Sequence, residues 1–391
     1  MVTKATAVSK RLVWGASVYW NSVFQVGAKH LARMFAEQGW QVAFLGHPLI
    51  PSNFLRVGNF RENLEQLSVW LAGGKRAPTH ALYYYAPLAV LPVRKRAFFS
   101  TKKWLAHWHR FTFPDLGRTL TRNGFKEVDA LVLDSPLQAC LLDIVQARRV
   151  IVRVVDNLAG FEQVSFAMLE KEREMVSRAD CVVYTAKSLE KEVRRLGARK
   201  LCYIPNGVSV EQFMQKRPPL PSALASIKKP RVVYVGALEY WFDFETLKHC
   251  AENMPEVSFV LIGPDKLARE RLPKRPNICL LGEQPYHLIP AFLHHANAGI
   301  IPFNTAKYPT LVNNINPLKL YEYLACGLPV AASAWEELRL LQSPAVLCDS
   351  AHDFIEALRS MLSRTVDKQA LQDYARAHDW NKAFESFADL I

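Results

Sequence analysis

The chain has 391 residues, with 49 basic and 36 acidic side chains and a formal charge of +13. Half of it is hydrophobic, which excludes a globally disordered chain and allows two cores of ordinary domain size. The surplus of positive charge asks for an anionic partner, whether nucleic acid, an acidic membrane surface or a phosphorylated substrate, and does not choose among them.

Seven cysteines are scattered singly, with no C-x-x-C pair. They read as small buried hydrophobes in a reducing compartment, not as a disulfide framework or zinc site. No run reaches the roughly 20 apolar residues that a membrane-spanning helix needs. Met1 to Lys10 is mildly basic and no signal-type apolar stretch precedes a cleavage site, so a cytoplasmic chain is expected.

Taken in order, Arg11 to Ser17 predicts a first strand. Ser22, with Gln25 three residues on, has the form of a capping box, and the helix it opens is expected to run to about Glu37 before Gly39 ends it. Gln41 to Leu45 predicts the next strand, and Ala130 to Leu133, Val150 to Val155, Cys181 to Tyr184 and Leu201 to Ile204 continue the series. Short apolar strands alternating with helical stretches predict a parallel sheet covered on both faces. Pro205-Asn-Gly-Val208 closes this first half, and the basic, proline-rich segment 213–230 reads as a linker. Strands predicted at Arg231 to Gly236, Ser258 to Gly263, Ile278 to Gly282 and Ala298 to Pro302 restart the alternation. The fold class is therefore α/β, with two doubly wound, Rossmann-like domains and an interdomain cleft. The domains are placed at 1–212 and 231–376, and residues 377–391 form an amphipathic helix with Phe384, Phe387 and Leu390 on one side.

One stretch of the first half stands apart. From Arg94 to Phe111 there is no acid, and aromatic residues interleave with Arg and Lys. Arg94, Lys95, Arg96, Phe98, Phe99, Lys102, Lys103, Trp104 and Trp108 fit the interface of an anionic bilayer. The same stretch also fits a helix with aromatic core residues and a solvated basic face, an RNA-binding segment, or a disordered loop. No helix-turn-helix, zinc-finger or RNP-type motif accompanies it, so nucleic acid is not an expected partner.

In open α/β sheets ligands lie at the carboxyl ends of the strands. Gly236, Gly263 and Gly282 end strands there, where a glycine serves either a close approach to phosphate or a tight turn. After Ile301-Pro-Phe303 comes a loop in which Asn313, Asn314 and Asn316 offer donors and acceptors or form turns. The helix that follows starts at Pro317 and stops at Gly327. Lys319 and Glu322 project the same way from its first turns, either as an ordinary surface pair or as a grip on phosphate and a ribose diol. In the first half, Asp156 follows a strand, as a general base or as the N-cap of the next helix. Asp134 and Ser135 follow another strand and rank second.

These residues carry a resemblance. Pro317-Leu-Lys-Leu-Tyr-Glu-Tyr-Leu-Ala-Cys-Gly-Leu-Pro-Val330 resembles the donor-binding helix of GT-B glycosyltransferases, P-x-K-x-x-E-Y-x-A-x-G-x-P-V. Arg153-Val-Val-Asp-Asn-Leu158 and Trp241-Phe-Asp-Phe244 are similar to segments of inverting bacterial surface-polysaccharide transferases of the xanthan-chain β-glucuronosyltransferase group. The resemblance implies transfer of a sugar, such as glucuronic acid, from a UDP-sugar to a lipid-linked, membrane-anchored saccharide. It implies Asp156 as base and Lys319 as the donor-phosphate contact, with Glu322 on the ribose. Glu283 and Tyr286 fall where the uracil is held, Phe303 and Asn316 where the sugar-phosphate lies, and Gly236, Asp243 and Gly263 near the donor. The terminal helix is expected to cross back to the first domain, and the enzyme to sit at the inner face of the cell membrane. No cofactor or divalent metal is expected, because no D-x-D motif follows a strand and a lysine can bear the leaving-group charge. Retaining relatives carry a glutamate eight residues before the ribose contact; here position 314 is Asn, which leaves an inverting mechanism open. A non-catalytic nucleotide-sugar sensor or assembly subunit would keep Lys319 and Glu322 without needing Asp156.

Overall fold

The computed structural model describes residues 9–51, 60–78, 81–91, 101–216 and 218–391. The chain forms two compact units, each with its own sheet. The first comprises the described residues through Thr185, with Leu189–Ile204 and Ser386–Ile391; the second comprises Ala186–Ser188 and Pro205–Glu385.

In the first unit the strands are β1 (Arg11–Gly15), β2 (Gln41–Leu45), β3 (Lys75–Arg76), β4 (Leu82–Tyr85), β5 (Leu88–Ala89), β6 (Thr112–Phe113), β7 (Glu127–Leu133), β8 (Gln146–Val154), β9 (Cys181–Tyr184) and β10 (Leu201–Tyr203). The main sheet runs β10-β9-β8-β7-β1-β2-β4-β3, parallel except for the short edge strand β3, while β5 and β6 pair by themselves. Its central strands are apolar on both faces, as a sheet covered by helices requires. The strand order turns about β1 and β7, and Asp134 N–H is bonded to Gly15 O at that point. Phe387 stacks on Trp14 of β1 and meets Phe35 edge-on, so residues far along the sequence complete this core.

The first helix runs Gly27–Glu37, five residues after the expected cap. Ser22 does not cap it. The buried ammonium of Lys29 instead takes Ser22 O, Ser22 Oγ and the carbonyl of Phe24, at 2.7 to 3.0 Å. Burial pulls that amine down to about 7.

The second unit holds β11 (Arg231–Val235), β12 (Ser258–Ile262), β13 (Ile278–Leu280), β14 (Ala298–Ile301), β15 (Val330–Ser333) and β16 (Val346–Cys348). All pairs are parallel, in the order β13-β12-β11-β14-β15-β16. The order reverses between β11 and β14, which marks the carboxyl ends of those two strands as the ligand-binding end of the sheet. Segment 213–230 belongs to this unit. Leu224 is buried, and the Arg231 guanidinium holds the carbonyls of Leu224 and Ile227.

Candidate functional site

At the switch point of the second sheet, Gly236 follows β11 with φ 141° and Gly263 follows β12 with φ 145°. A Cβ on Gly263 would lie 2.0 Å from Gly236 O, so only glycine lets the two loops meet. Over this backbone lies Lys319, from the helix Leu318–Ala325. A Cβ on Gly236 would meet Lys319 Cε at 3.0 Å. The ammonium stands 5.2 Å from the Tyr234 ring and 5.0 Å from the Phe303 ring. Burial pulls it down to about 8, with Glu322 opposing. Pro317 occupies the cap position rather than the first helical residue, and Gly327 (φ 67°) ends the helix as the N–H groups of Gly327 and Leu328 return to the carbonyls of Leu324 and Tyr323.

Glu322 is 7% exposed and accepts the hydroxyl of Tyr286 at 2.8 Å. Burial pushes its carboxyl up, while the Tyr286 hydroxyl and Lys319 draw it back. Tyr286 thus joins Lys319 and Glu322 in one group. Glu283 is exposed on the preceding loop. Phe303 stacks on Trp335 with its N–H on Ser333 Oγ, which fixes the chain just beyond β14.

Two expected donor contacts have other employment. Both carboxylate oxygens of Asp243 bind Thr246, one the N–H and one the hydroxyl, so Asp243 caps the helix Phe244–Asn253. Asn316 is buried, donating to Glu337 Oε1 and accepting from the Tyr321 hydroxyl, and its amide is spent on fixing the loop before the helix Leu318–Ala325. Asn314 donates to Thr310 O within its own turn, whereas Asn313 Oδ1 accepts the N–H of Glu336 from a remote segment. Glu337, a fully buried carboxylate, was not flagged by sequence: its Glu336-Glu-Leu-Arg surroundings read as a solvated helix.

In the first unit, Asp156 lies two residues beyond β8 and half-buried. It caps no helix: Asn157 caps the short turn Leu158–Gly160 and Ser165 caps the helix Phe166–Ser177. Thr185 holds the loop by donating to Val155 O at 3.1 Å. Burial pushes Asp156 up to about 6, against the pull of Arg153. Asp134, after β7, lies 3.5 Å from Arg153 and is also pushed to about 6 by burial. Ser135 Oγ lies 3.5 Å from His47 Nε2.

The basic aromatic stretch divides. Arg94, Lys95, Arg96, Phe98 and Phe99 lie outside the described residues. Lys102 opens the helix Lys102–His107, and Lys103 is exposed. Trp104 and Trp108 do not face a membrane. Trp108 is wholly buried, its indole N–H on Leu137 O, and Trp104 is buried in the same cluster, its ring 5.0 Å from that of Phe111. These two are the core aromatics of the alternative reading, because their helix has a packed face.

The family model described as "Glucuronosyltransferase GumK, N-terminal domain" matches residues 16–185. The model described as "Glycosyl transferases group 1" matches residues 229–364. Over 228 residues the chain is 29% identical to the "Putative teichuronic acid biosynthesis glycosyltransferase TuaH" of Bacillus subtilis (strain 168), covering 54% of this chain and 57% of that relative, less than two thirds of its length. Among solved structures, sucrose-phosphate synthase from Thermosynechococcus elongatus superposes with a TM-score of 0.69 at 17% identity, covering 98% of each chain. HepE of Anabaena, solved in complex with UDP-glucose, superposes with a TM-score of 0.65 at 14% identity, covering 97% of this chain and 98% of that one. Identities this low speak to fold alone, and the fold they share is the pair of parallel-sheet units described above. A glycosyltransferase model thus matches over each sheet, and the two parallel-sheet units have the GT-B fold.

Proposed function

We propose that the protein is an inverting enzyme that moves glucuronic acid from UDP-glucuronate to a membrane-anchored saccharide in the building of a bacterial surface polysaccharide. The observation that carries the donor half is Lys319 lying over Gly236, with Glu322 one turn on, at the switch point of the second sheet. Glucuronate is favoured by the description of the family model matching the first half, and UDP by the nucleotide sugar that HepE holds.

In this reading the acceptor hydroxyl attacks the anomeric carbon while Asp156 takes its proton. The bond from that carbon to the β-phosphate oxygen breaks, and UDP leaves with the electron pair. Lys319 and the positive amino-terminal end of its helix meet the charge that develops on the leaving group, so no metal is assigned a role. Glu322 accepts from the ribose diol, and the Tyr286 hydroxyl sets its orientation. Among the described residues no helix is long and apolar enough to cross a membrane. We assign peripheral attachment at the inner face of the cell membrane to the basic segment of Arg94, Lys95, Arg96, Lys102 and Lys103, with Phe98 and Phe99.

The test is a melting-point screen against nucleotide sugars, since a ligand that binds only the folded state raises the midpoint. Radiolabelled UDP-glucuronate is then offered with bacterial lipid extract. A shift by UDP-sugars and label transferred to lipid with inverted anomeric configuration support the reading. Retained configuration overturns the mechanism. Binding without transfer from any donor favours the non-catalytic alternative.

A further inference from the structure

Three charged side chains at the carboxyl edge of the first sheet stand in a relation that glycosyl transfer does not by itself require. Arg153 of β8 is 4% exposed, and its Nη1 lies 3.5 Å from Oδ2 of Asp134, itself 3% exposed. Asp134 follows β7, the strand beside β8, and its N–H is fixed on Gly15. Its second oxygen, Oδ1, is buried with no hydrogen-bond partner among the described residues. Asp156, three residues after Arg153, is the second carboxylate that bears on the guanidinium. One buried cation is therefore paired with the carboxylate that follows β7 and drawn on by the one that lies two residues beyond β8. On the bordering elements, β1 contributes Trp14, the residue after β9 is Thr185, and His47 beyond β2 is directed at Ser135.

We propose that Asp134 and Arg153 are positioning residues for Asp156: Asp134 anchors the guanidinium and takes part of its charge, so that Asp156 is held in place and stays basic enough to accept a proton. This rests on Asp156 being the base. A carboxylate facing an undivided arginine is a poor base, and one with no cation nearby stays protonated when buried. Burial holds both aspartates at about 6 while Arg153 draws each back.

The test is a titration of the full-length protein carrying isotope-labelled aspartate carboxyls, followed by NMR. The Asp156 signal is assigned as the one missing in Asp156→Asn. In Asp134→Asn its midpoint is expected to fall by about one pH unit, and in Arg153→Gln to rise by about one. Should Arg153→Gln fail to fold, Arg153→Lys is read instead, with a smaller rise expected because an ammonium cannot hold two carboxylates in one plane. Should Asp134→Asn fail, Asp134→Ser takes its place. A midpoint unmoved in the Asp134 variant overturns the proposal. So does a fall in both variants, which is what mere loosening and wetting of the edge would give. Wild-type transfer by Asp156→Asn would end the base assignment and leave the titration standing; a failed titration with Asp156→Asn inactive ends the positioning role alone.

Discussion

At the carboxyl edge of the first sheet a buried and a half-buried carboxylate border one guanidinium, whereas at that of the second a lysine over Gly236 shares a helix with a glutamate one turn on. Burial raises the acids at both edges, yet the surroundings differ. At the first, Asp134 and Asp156 compete for Arg153, which leaves a carboxylate able to exchange a proton near neutral pH. At the second, Glu322 is held by Tyr286, and the ammonium of Lys319 rests against two aromatic rings and bare backbone. The carboxylate that draws on that ammonium is Glu322, one turn along the same helix and itself bonded to Tyr286. The contrast is between an edge suited to taking a proton and an edge suited to receiving an anion.

The contrast breaks most sharply at Asp156. Asp156→Ala is expected to reduce transfer by about a thousandfold, the scale of a general base, while the melting shift with UDP persists. A variant still turning over at a tenth of the normal rate would dissolve the distinction. The acidic character of that edge also predicts a pH effect on stability. A carboxyl raised in the folded state holds its proton more tightly there than in the unfolded chain. Its protonated form is compatible with the fold, and stability falls as pH rises from about 4 to about 6, with the loss complete above that. Replacing Asp156 by Asn removes this loss, so the variant should gain up to about 3 kcal/mol on the wild type at pH 7 relative to pH 4, read from urea midpoints. An equal difference at both pH values would contradict the raised carboxyl.

At the second edge, Lys319→Ala should cost about 2 kcal/mol in donor binding and lower turnover as well, because it removes charge from both the bound phosphate and the leaving group. Calorimetry with UDP, with UMP as a shorter control, measures the first part. Tyr286→Phe is the mildest probe. It deletes one hydrogen bond to Glu322 and should weaken UDP binding by about fivefold, roughly 1 kcal/mol, with no change in the Lys319 effect.

Much of this architecture was legible because a parallel sheet covered on both faces writes its strands as unbroken apolar runs. Cys181–Tyr184 and Gln41–Leu45 fall where the sequence places them. The helix Leu318–Ala325 was readable too, since Gly327 needs its left-handed backbone and Lys319 and Glu322 sit three residues apart. What stayed hidden depended on neighbours remote in sequence. Nothing near Arg153 names Asp134 as its partner; only the pairing of β7 with β8 brings them together. Ser22 has a sound capping pattern, overridden by an ammonium that claims its carbonyl. Trp104 and Trp108 carry the composition of an interfacial helix, and whether such rings meet lipid or protein is decided by a packing partner, Leu137, that one stretch of sequence cannot reveal. Asn316 and Asp243 have the right chemistry for a sugar but spend it on their own loops.

Phe387 fills the space between Trp14 and Phe35. During synthesis this ring emerges from the ribosome only after both sheets have been translated, so the amino-terminal half must wait with an open slot beside its first strand. A nascent chain stalled before that point would leave Trp14 and Phe35 without this partner ring.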